Sequence, residues 1–291
     1  MIKLIITDLD GTLLNRNKEI SPINKETLIE AQKKGVILAL ASGRGEQSLR
    51  EYAAVLHMHE FGGYLICNNG QKVIRLSDEH MTTSGEISST DARRAYHFAR
   101  RHGLEMIMEG DDGISVYTPR NLLLIRLIYK RLIKIIPSNR SQPIGTGWMN
   151  FFGIFQERRW NLINGSDEIN ETYYKIGYAQ RKYRLDKAAL VLHEALNDRF
   201  EIMRVSDMWI DLSPIGVTKS LGMRKVMEEQ GFDRSEVLAI GDSQNDMTMI
   251  RDAGIGVAMG NAMNEIKAIA DDITAAHSED GVAIAVRKYL F

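Results

Sequence analysis

The sequence holds a single cysteine, Cys67, among 291 residues. That excludes an intramolecular disulfide and any multi-cysteine metal site. Cys67 sits in the apolar run "YLICNNG" and reads as a small buried hydrophobe. No run of about 18 uncharged apolar residues occurs, so no membrane-spanning helix is expected. The first apolar stretch is broken at once by Asp8 and Asp10, unlike a signal peptide. A cytoplasmic protein is the expectation. Net charge is nearly absent, at −1, which removes any overall bias toward nucleic acid. No internal repeat or low-complexity linker is evident.

What is present is a globular composition, 44% hydrophobic and 26% charged, in a chain long enough for two domains of about 150 residues each. The charge is segregated. Residues 120–187 carry thirteen Lys/Arg against five Asp/Glu, a local excess of +8 that leaves −9 for the remainder. Such a segment either meets an anionic ligand or is simply a solvated basic surface.

Strand and helix signals alternate at both ends of the chain. Residues 2–7 read as a buried strand. A helix is predicted from Ser21, with Pro22 in its first turn, to Lys34, ended by Gly35. Strand "VILALAS" (36–42), a helix over 46–56 and strand "GYLICNNG" (63–70) follow. The same grammar returns with a helix over 219–230, strand "EVLAIGD" (236–242), a helix over 246–253, strand "GIGVAMG" (254–260) and a helix over 280–289. Right-handed crossovers and a parallel sheet follow from this order. Between the two ends, helices over 89–102 and 120–135 mix with strands "LEMIME", "YYKIGYA", "FEIMRVS" and "MWIDLSP". The fold class expected is α/β: a Rossmann-like parallel-sheet core, residues 1–83 and 214–291, with an inserted α/β cap domain on an antiparallel sheet, residues 84–213.

Ligands of an open parallel sheet bind at the carboxyl ends of its strands. The residues predicted there come from separate segments. They are Asp8 and Asp10, then Ser42, Gly43 and Arg44, then Asn68 and Asn69, and finally Gly241, Asp242, Ser243, Asn245 and Asp246. Lys219 opens the helix before the last of these strands. Asp8 and Asp10 as bare carboxylates repel one another unless a cation intervenes. Asp8, Asp10 and Asp242 suit a hard cation such as Mg²⁺. Ser42 and the backbone N–H groups near Gly43 and Gly11 suit phosphate oxygens, and Lys219 adds a point charge for the same anion. Phosphoryl transfer to a carboxylate nucleophile uses this set.

"DLDGT" (8–12), "ASGR" (41–44), Lys219 in "GVTKS" and "GDSQNDMTM" (241–249) together resemble the four motifs of the haloacid dehalogenase superfamily. The large insert between the second and third resembles the Cof-type phosphatases, whose insert is an α/β cap. The resemblance implies that Asp8 is the nucleophile and that Asp10 serves the leaving alcohol and then the water. It implies Mg²⁺ on Asp8, Asp242 and the backbone carbonyl of Asp10, with Asp246 supporting the metal shell or Lys219. Ser42 and Lys219 would hold the phosphoryl group, Asn245 would touch it, and Arg44 and Asn69 would face the substrate. The fourth motif often begins Gly-Asp-Gly, whereas Ser243 stands here; a turn tolerates serine and both acids remain. The partner implied is a small phosphorylated metabolite such as a sugar phosphate, with neither nucleic acid nor membrane. A phosphotransferase or mutase on the same scaffold, or a phosphometabolite sensor, is the alternative.

Other features read blandly. His57 and His59 are solvated or capping, and His277 is ordinary. "NLLLIRLIYKRLIKIIP" (121–137) is a basic amphipathic helix expected to pack on the cap sheet, with membrane, substrate or partner contact as alternatives. Trp148, Phe151, Phe152 and Trp160 are expected in the cap core, with a substrate wall as the alternative.

Overall fold

The computed structural model describes residues 1–110, 113–120, 122 and 160–291. The chain divides into two compact units, Met1–Gly85 with Gly216–Phe291, and Glu86–Ile215. In chain order the first unit opens with β1 (Leu4–Thr7), α1 (Pro22–Lys33), β2 (Ile37–Ala41), α2 (Glu46–Val55), β3 (Tyr64–Cys67), β4 (Lys72–Arg75) and β5 (Met81–Thr83). The second holds α3 (Ser89–His102), β6 (Glu105–Gly110), β7 (Gly113–Tyr117), β8 (Trp160–Leu162), β9 (Lys175–Ala179), α4 (Lys182–Leu196), β10 (Phe200–Ser206) and β11 (Trp209–Pro214). The chain returns to the first unit with α5 (Lys219–Gln230), β12 (Val237–Gly241), α6 (Met247–Asp252), β13 (Ile255–Ala258), α7 (Asn264–Ile269), β14 (Asp272–Ile273) and α8 (Gly281–Leu290).

The first unit is one eight-stranded sheet, ordered β14-β13-β12-β1-β2-β3-β4-β5. Its first six strands run parallel, and β4 and β5 add antiparallel. β1 lies in the middle and is buried on both faces, which explains its unbroken apolar run. Ile5 packs on one side with Leu28, Leu49 and Val286, while Leu4 and Ile6 pack on the other with Met223, Val226 and Met249. Helix starts follow their sequence signals. Ser21 Oγ accepts from Asn24 N at 3.1 Å with Pro22 at the first helical position. Thr218 Oγ1 accepts from Leu221 N at 3.3 Å, and α5 ends at Gly231 in the left-handed region.

The second unit is a six-stranded sheet, β10-β11-β9-β6-β7-β8, antiparallel except where β7 and β8 run parallel. α3 and α4 cover one face. Ala92, Ala95, Tyr96 and Ala99 meet Leu185, Ala188 and Leu192 over Met106, Ile176 and Tyr178. The other face carries Ile107, Ile114, Val116 and Ala179, beside a buried Lys175–Asp211 ion pair at 2.8 Å.

Several details depart from the sequence reading. The third strand stops at Cys67, because Asn68 and Asn69 both turn left-handed (φ 49° and 57°). The β4–β5 ribbon and the fifteen-residue helix α4 were not anticipated. The remainder of the 120–135 helix beyond Arg120 and Leu122, most of the 121–137 stretch, and Trp148, Phe151 and Phe152 lie outside the described residues. Cys67 is buried, and burial pushes its thiol up to about 12, so no thiolate forms at neutral pH. His57 Nδ1 lies 3.0 Å from Glu60 Oε1 at the surface, and His277 Nδ1 lies 2.9 Å from the Leu14 carbonyl. Among the described residues no helix is long and apolar enough to cross a membrane.

Candidate active site

β1 and β12 are neighbours in register, Thr7 opposite Ile240, so the residues that follow them emerge side by side. These are Asp8, whose N–H donates to the Ile240 carbonyl at 3.0 Å, and Asp242. Gly11 turns the chain (φ +84°) directly against Asp242; a Cβ there would lie 2.5 Å from Asp242 Oδ2. Only glycine fits this approach. Thr12 Oγ1 then donates to Asp242 Oδ1 at 2.9 Å.

Lys219 is delivered by α5, whose start is pressed against the Asn68–Gly70 turn. Gly70 (φ +97°) approaches so closely that a Cβ would fall 2.0 Å from the Thr218 carbonyl. The fully buried Lys219 Nζ donates to Asp8 Oδ1 and to Asp246 Oδ1, both at 2.6 Å. Asp246 Oδ2 accepts from the backbone N–H groups of Asp242 and Ser243, both at 3.0 Å. Asp246 thus fixes Lys219 on one side and the Asp242 loop on the other. Ser243 joins this turn by donating through Oγ to Asn245 Oδ1 at 2.6 Å.

A second group lies at the ends of β2 and β3. Asn245 Nδ2 donates to Asn69 Oδ1 at 3.1 Å, and the Asn69 N–H donates to the Ser42 carbonyl at 3.0 Å. Gly43 passes Asn69 closely; a Cβ would sit 3.1 Å from its Oδ1. Ser42 Oγ accepts from the Arg44 N–H at 3.2 Å. Arg44 then reaches Asp10 with two parallel bonds, Nε to Oδ2 at 2.6 Å and Nη2 to Oδ1 at 2.7 Å. All ten candidate residues, Asp8, Asp10, Ser42, Gly43, Arg44, Asn69, Lys219, Asp242, Asn245 and Asp246, therefore join one continuous set of contacts.

The electrostatics separate the two motif carboxylates. Burial raises Asp8 well above the usual carboxylate range; Lys219 opposes this, and Asp246 and Asp242 add to it. Asp10 moves the other way. Burial alone would raise it, but Arg44 and Lys18 hold it below its ordinary value. Burial, reinforced by Asp246, lifts Asp242 to about 7. Mutual repulsion of this kind is what a cation relieves.

Oxygen atoms of Asp8, Asp242 and Asp246 lie within 4.8 Å of one another. The donor set is oxygen only, which fits a hard divalent cation. Lys219 and Thr12 each take one oxygen, Oδ1 of Asp8 and Oδ1 of Asp242, and among the described residues Oδ2 of each faces no such partner. The carboxylate of Asp10 lies outside this cluster, because Arg44 and Lys18 (Nζ–Oδ1 2.6 Å) hold it. A metal role for Asp10 would fall to its backbone carbonyl, the atom the resemblance implies. Sequence reasoning missed Lys18 and the Thr12 bond. Thr12 was present within "DLDGT" as a signal, but nothing local marked Lys18.

Asp242 gives a pH test. An acid raised from 3.8 to about 7 on folding binds more protons folded than unfolded across that interval. Its contribution to stability therefore falls as pH rises through it. A divalent cation opposes this by stabilising the ionised carboxylate. In chelator, the melting temperature should show this fall from pH 5 to pH 8, and added Mg²⁺ should raise it more at pH 8 than at pH 5. An equal gain at both values would contradict a metal on Asp242.

A family model described as haloacid dehalogenase-like hydrolase matches residues 5–286, nearly the whole chain and all four motifs. This chain belongs to that family. The hydrolase is 30% identical over 290 residues to the 5-amino-6-(5-phospho-D-ribitylamino)uracil phosphatase YcsE of Bacillus subtilis, covering 99% of this chain and 96% of the relative. A haloacid dehalogenase-like hydrolase from Bacteroides thetaiotaomicron superimposes with a TM-score of 0.76 at 31% identity, covering 99% of both chains. The subclass IIB sugar phosphatase BT4131 shares the fold, with a TM-score of 0.75 at 23% identity over 99% of this chain and 98% of its own. The parallel-sheet core and the Cof-type resemblance of the hydrolase are borne out by these matches.

Proposed function

We propose that this hydrolase releases inorganic phosphate from a small phosphorylated metabolite, through an aspartyl-phosphate on Asp8 and with Mg²⁺ as cofactor. The enzyme class is phosphoric monoester hydrolase, in keeping with its family and its phosphatase relatives. The observation that carries the reading is Lys219 bridging Asp8 and Asp246 with Asp242 alongside. A buried nucleophile is held by one cation, next to a carboxylate set fit for another.

An oxygen of Asp8 attacks phosphorus and the ester P–O bond breaks, leaving an acyl phosphate and an alkoxide that takes a proton. Water then attacks the acyl phosphate, gives up a proton and restores the Asp8 carboxylate. Lys219 neutralises Asp8 and, with Ser42 and Asn245, holds the phosphoryl oxygens. Asp10 is the proton carrier. Gripped by Arg44 and Lys18 it is charged and a weakened base; to take the water's proton or to donate one it must first leave those cations. A Mg²⁺ on Asp8, Asp242 and the Asp10 carbonyl would supply charge stabilisation to the phosphoryl group. Phosphatases of this superfamily use a divalent metal, and the oxygen-only cluster supports that assignment here.

The unit containing Asp8 would carry the chemistry, and Glu86–Ile215 would select the leaving group. The test is a screen of phosphorylated metabolites with Mg²⁺ that includes sugar phosphates and 5-amino-6-(5-phospho-D-ribitylamino)uracil, the substrate in the B. subtilis relative's name. We expect phosphate release that stops in chelator and returns with Mg²⁺. Full activity in exhaustively chelated protein would remove the metal assignment. Transfer to an added sugar in preference to water would make the enzyme a phosphotransferase.

A further inference from the structure

The basic charge concentrated in the second unit is not used by the chemistry above. Part of it converges on a cleft of about 360 Å³ between the end of α3 and the first half of α4, lined by Arg101, His102, Tyr183, Arg184, Lys187 and Ala188. Among the described residues no carboxylate lines it. Among the described residues Arg101, Arg184 and Lys187 form no ion pair. The next cation, Lys182, faces Asp207 at 2.8 Å and Asp186 at 3.6 Å.

Helix electrostatics account for only half of this arrangement. Arg101 and His102 sit in the last turn of α3, where the helix dipole favours cations. Arg184 sits in the first turn of α4, where the dipole disfavours a cation, and Lys187 lies one turn further on. That start has no acidic residue in its first turn and no side-chain cap at Arg181. Local rules broken without a compensating partner mark functional positions.

Arg184 is also placed. Its Nε donates to the Tyr183 hydroxyl at 3.0 Å, and its Nη1 packs over Gly103, 3.4 Å from where a Cβ would be. His102 stacks on Phe98 with ring centroids 4.3 Å apart. Burial and then Arg101 depress the His102 imidazole, and the Arg184 hydrogen bond with the neighbouring cations depresses the Tyr183 phenol.

We propose that this cleft is an accessory binding site for a small oligophosphate anion, of the class of inorganic pyrophosphate or a nucleoside diphosphate. Its volume lies within the 300–1,000 Å³ usual for small-molecule sites. Arg101 and Arg184 provide planar donors suited to phosphate, and Lys187 a point charge. The site shares no residue with the Asp8 cluster. A nucleic acid is less well matched, because the cationic surface is confined to a cleft on a chain of net charge −1.

The test is calorimetric titration of the full chain with inorganic pyrophosphate, in chelator. The wild type should take up an equivalent that the Arg184→Gln/Lys187→Gln variant lacks or binds at least about tenfold more weakly. Lys182→Gln/Arg199→Gln, which removes the same charge outside the lining, should keep it. The cleft variant should melt no lower than the wild type, since cations have left the start of a helix; Lys187→Gln alone serves as a milder second variant. Three results would overturn the proposal. The cleft variant could bind like the wild type. The control pair could lose as much, showing a general surface field. Or the cleft residues could matter for an oligonucleotide and not for pyrophosphate.

Discussion

Replacing Asp8 with Asn should leave a folded protein whose phosphate release falls by roughly four orders of magnitude or more. The amide keeps the shape and can still accept from Lys219 Nζ, now 2.6 Å from Oδ1, but it cannot form the acyl phosphate. The fold should not suffer. Burial, with Asp246 and Asp242, raises the Asp8 carboxyl, so its ionised form is costlier in the folded protein than in water. In chelator near pH 7.5 the variant should therefore melt no lower than the wild type. Lost activity with an unchanged or higher melting temperature separates a chemical role from a structural one. Undiminished release would remove Asp8 as nucleophile.

Lys219→Met is expected to damage both fold and activity. Lys219 is fully buried; burial alone would favour its neutral form, but Asp246 and Asp8 overcome this and keep it charged. Removing it strands two buried carboxylates, Asp8 and Asp246, at a cost of about 3–5 kcal/mol. The sign with pH follows from Asp8. A raised acid without its counter-ion binds a proton more readily in the folded state, so the loss should be larger at pH 8 than at pH 5. Denaturant melts at the two values check this. A pH-independent loss would mean that Lys219 acts by packing alone.

The parts of the molecule legible in the sequence are those with local signals. Helices opened at Ser21-Pro22 and at Lys219 where the sequence reading put them, and the doubly buried strand at Leu4–Thr7 read as a continuous apolar run. The site was legible because parallel strands deliver their following residues to one edge, so Asp8, Ser42, Asn69 and Asp242 could be grouped without knowing any distance. What escaped lacked such signals. α4 begins at Lys182 with no side-chain cap from Arg181 before it, and four of its outward positions, Lys187, Leu190, Val191 and Glu194, mix polar and apolar residues. β4 and β5 are short, and β5 is partly exposed, so neither shows a sustained period. The Asp10–Lys18 pair depends on a loop that bends back through the Asp10–Leu14 and Leu14–Ile20 bridges, which spacing alone does not reveal. From sequence alone Asp8 and Asp10 repel one another; in the fold Asp8 is instead raised by burial, with Asp246 and Asp242 adding to it, and Asp10 is held low by Arg44 and Lys18, partners brought in by the tertiary fold.

The central claim is that Asp8 itself receives the phosphoryl group. Quenching the enzyme during turnover and reducing it with borohydride converts an aspartyl phosphate to homoserine, which peptide mass spectrometry can place in the sequence. The account predicts homoserine at position 8 in the wild type and none in Asp8→Asn. Homoserine at another carboxylate, or steady turnover with position 8 unmodified under conditions that trap the intermediate in a known aspartyl-phosphate enzyme, would contradict it.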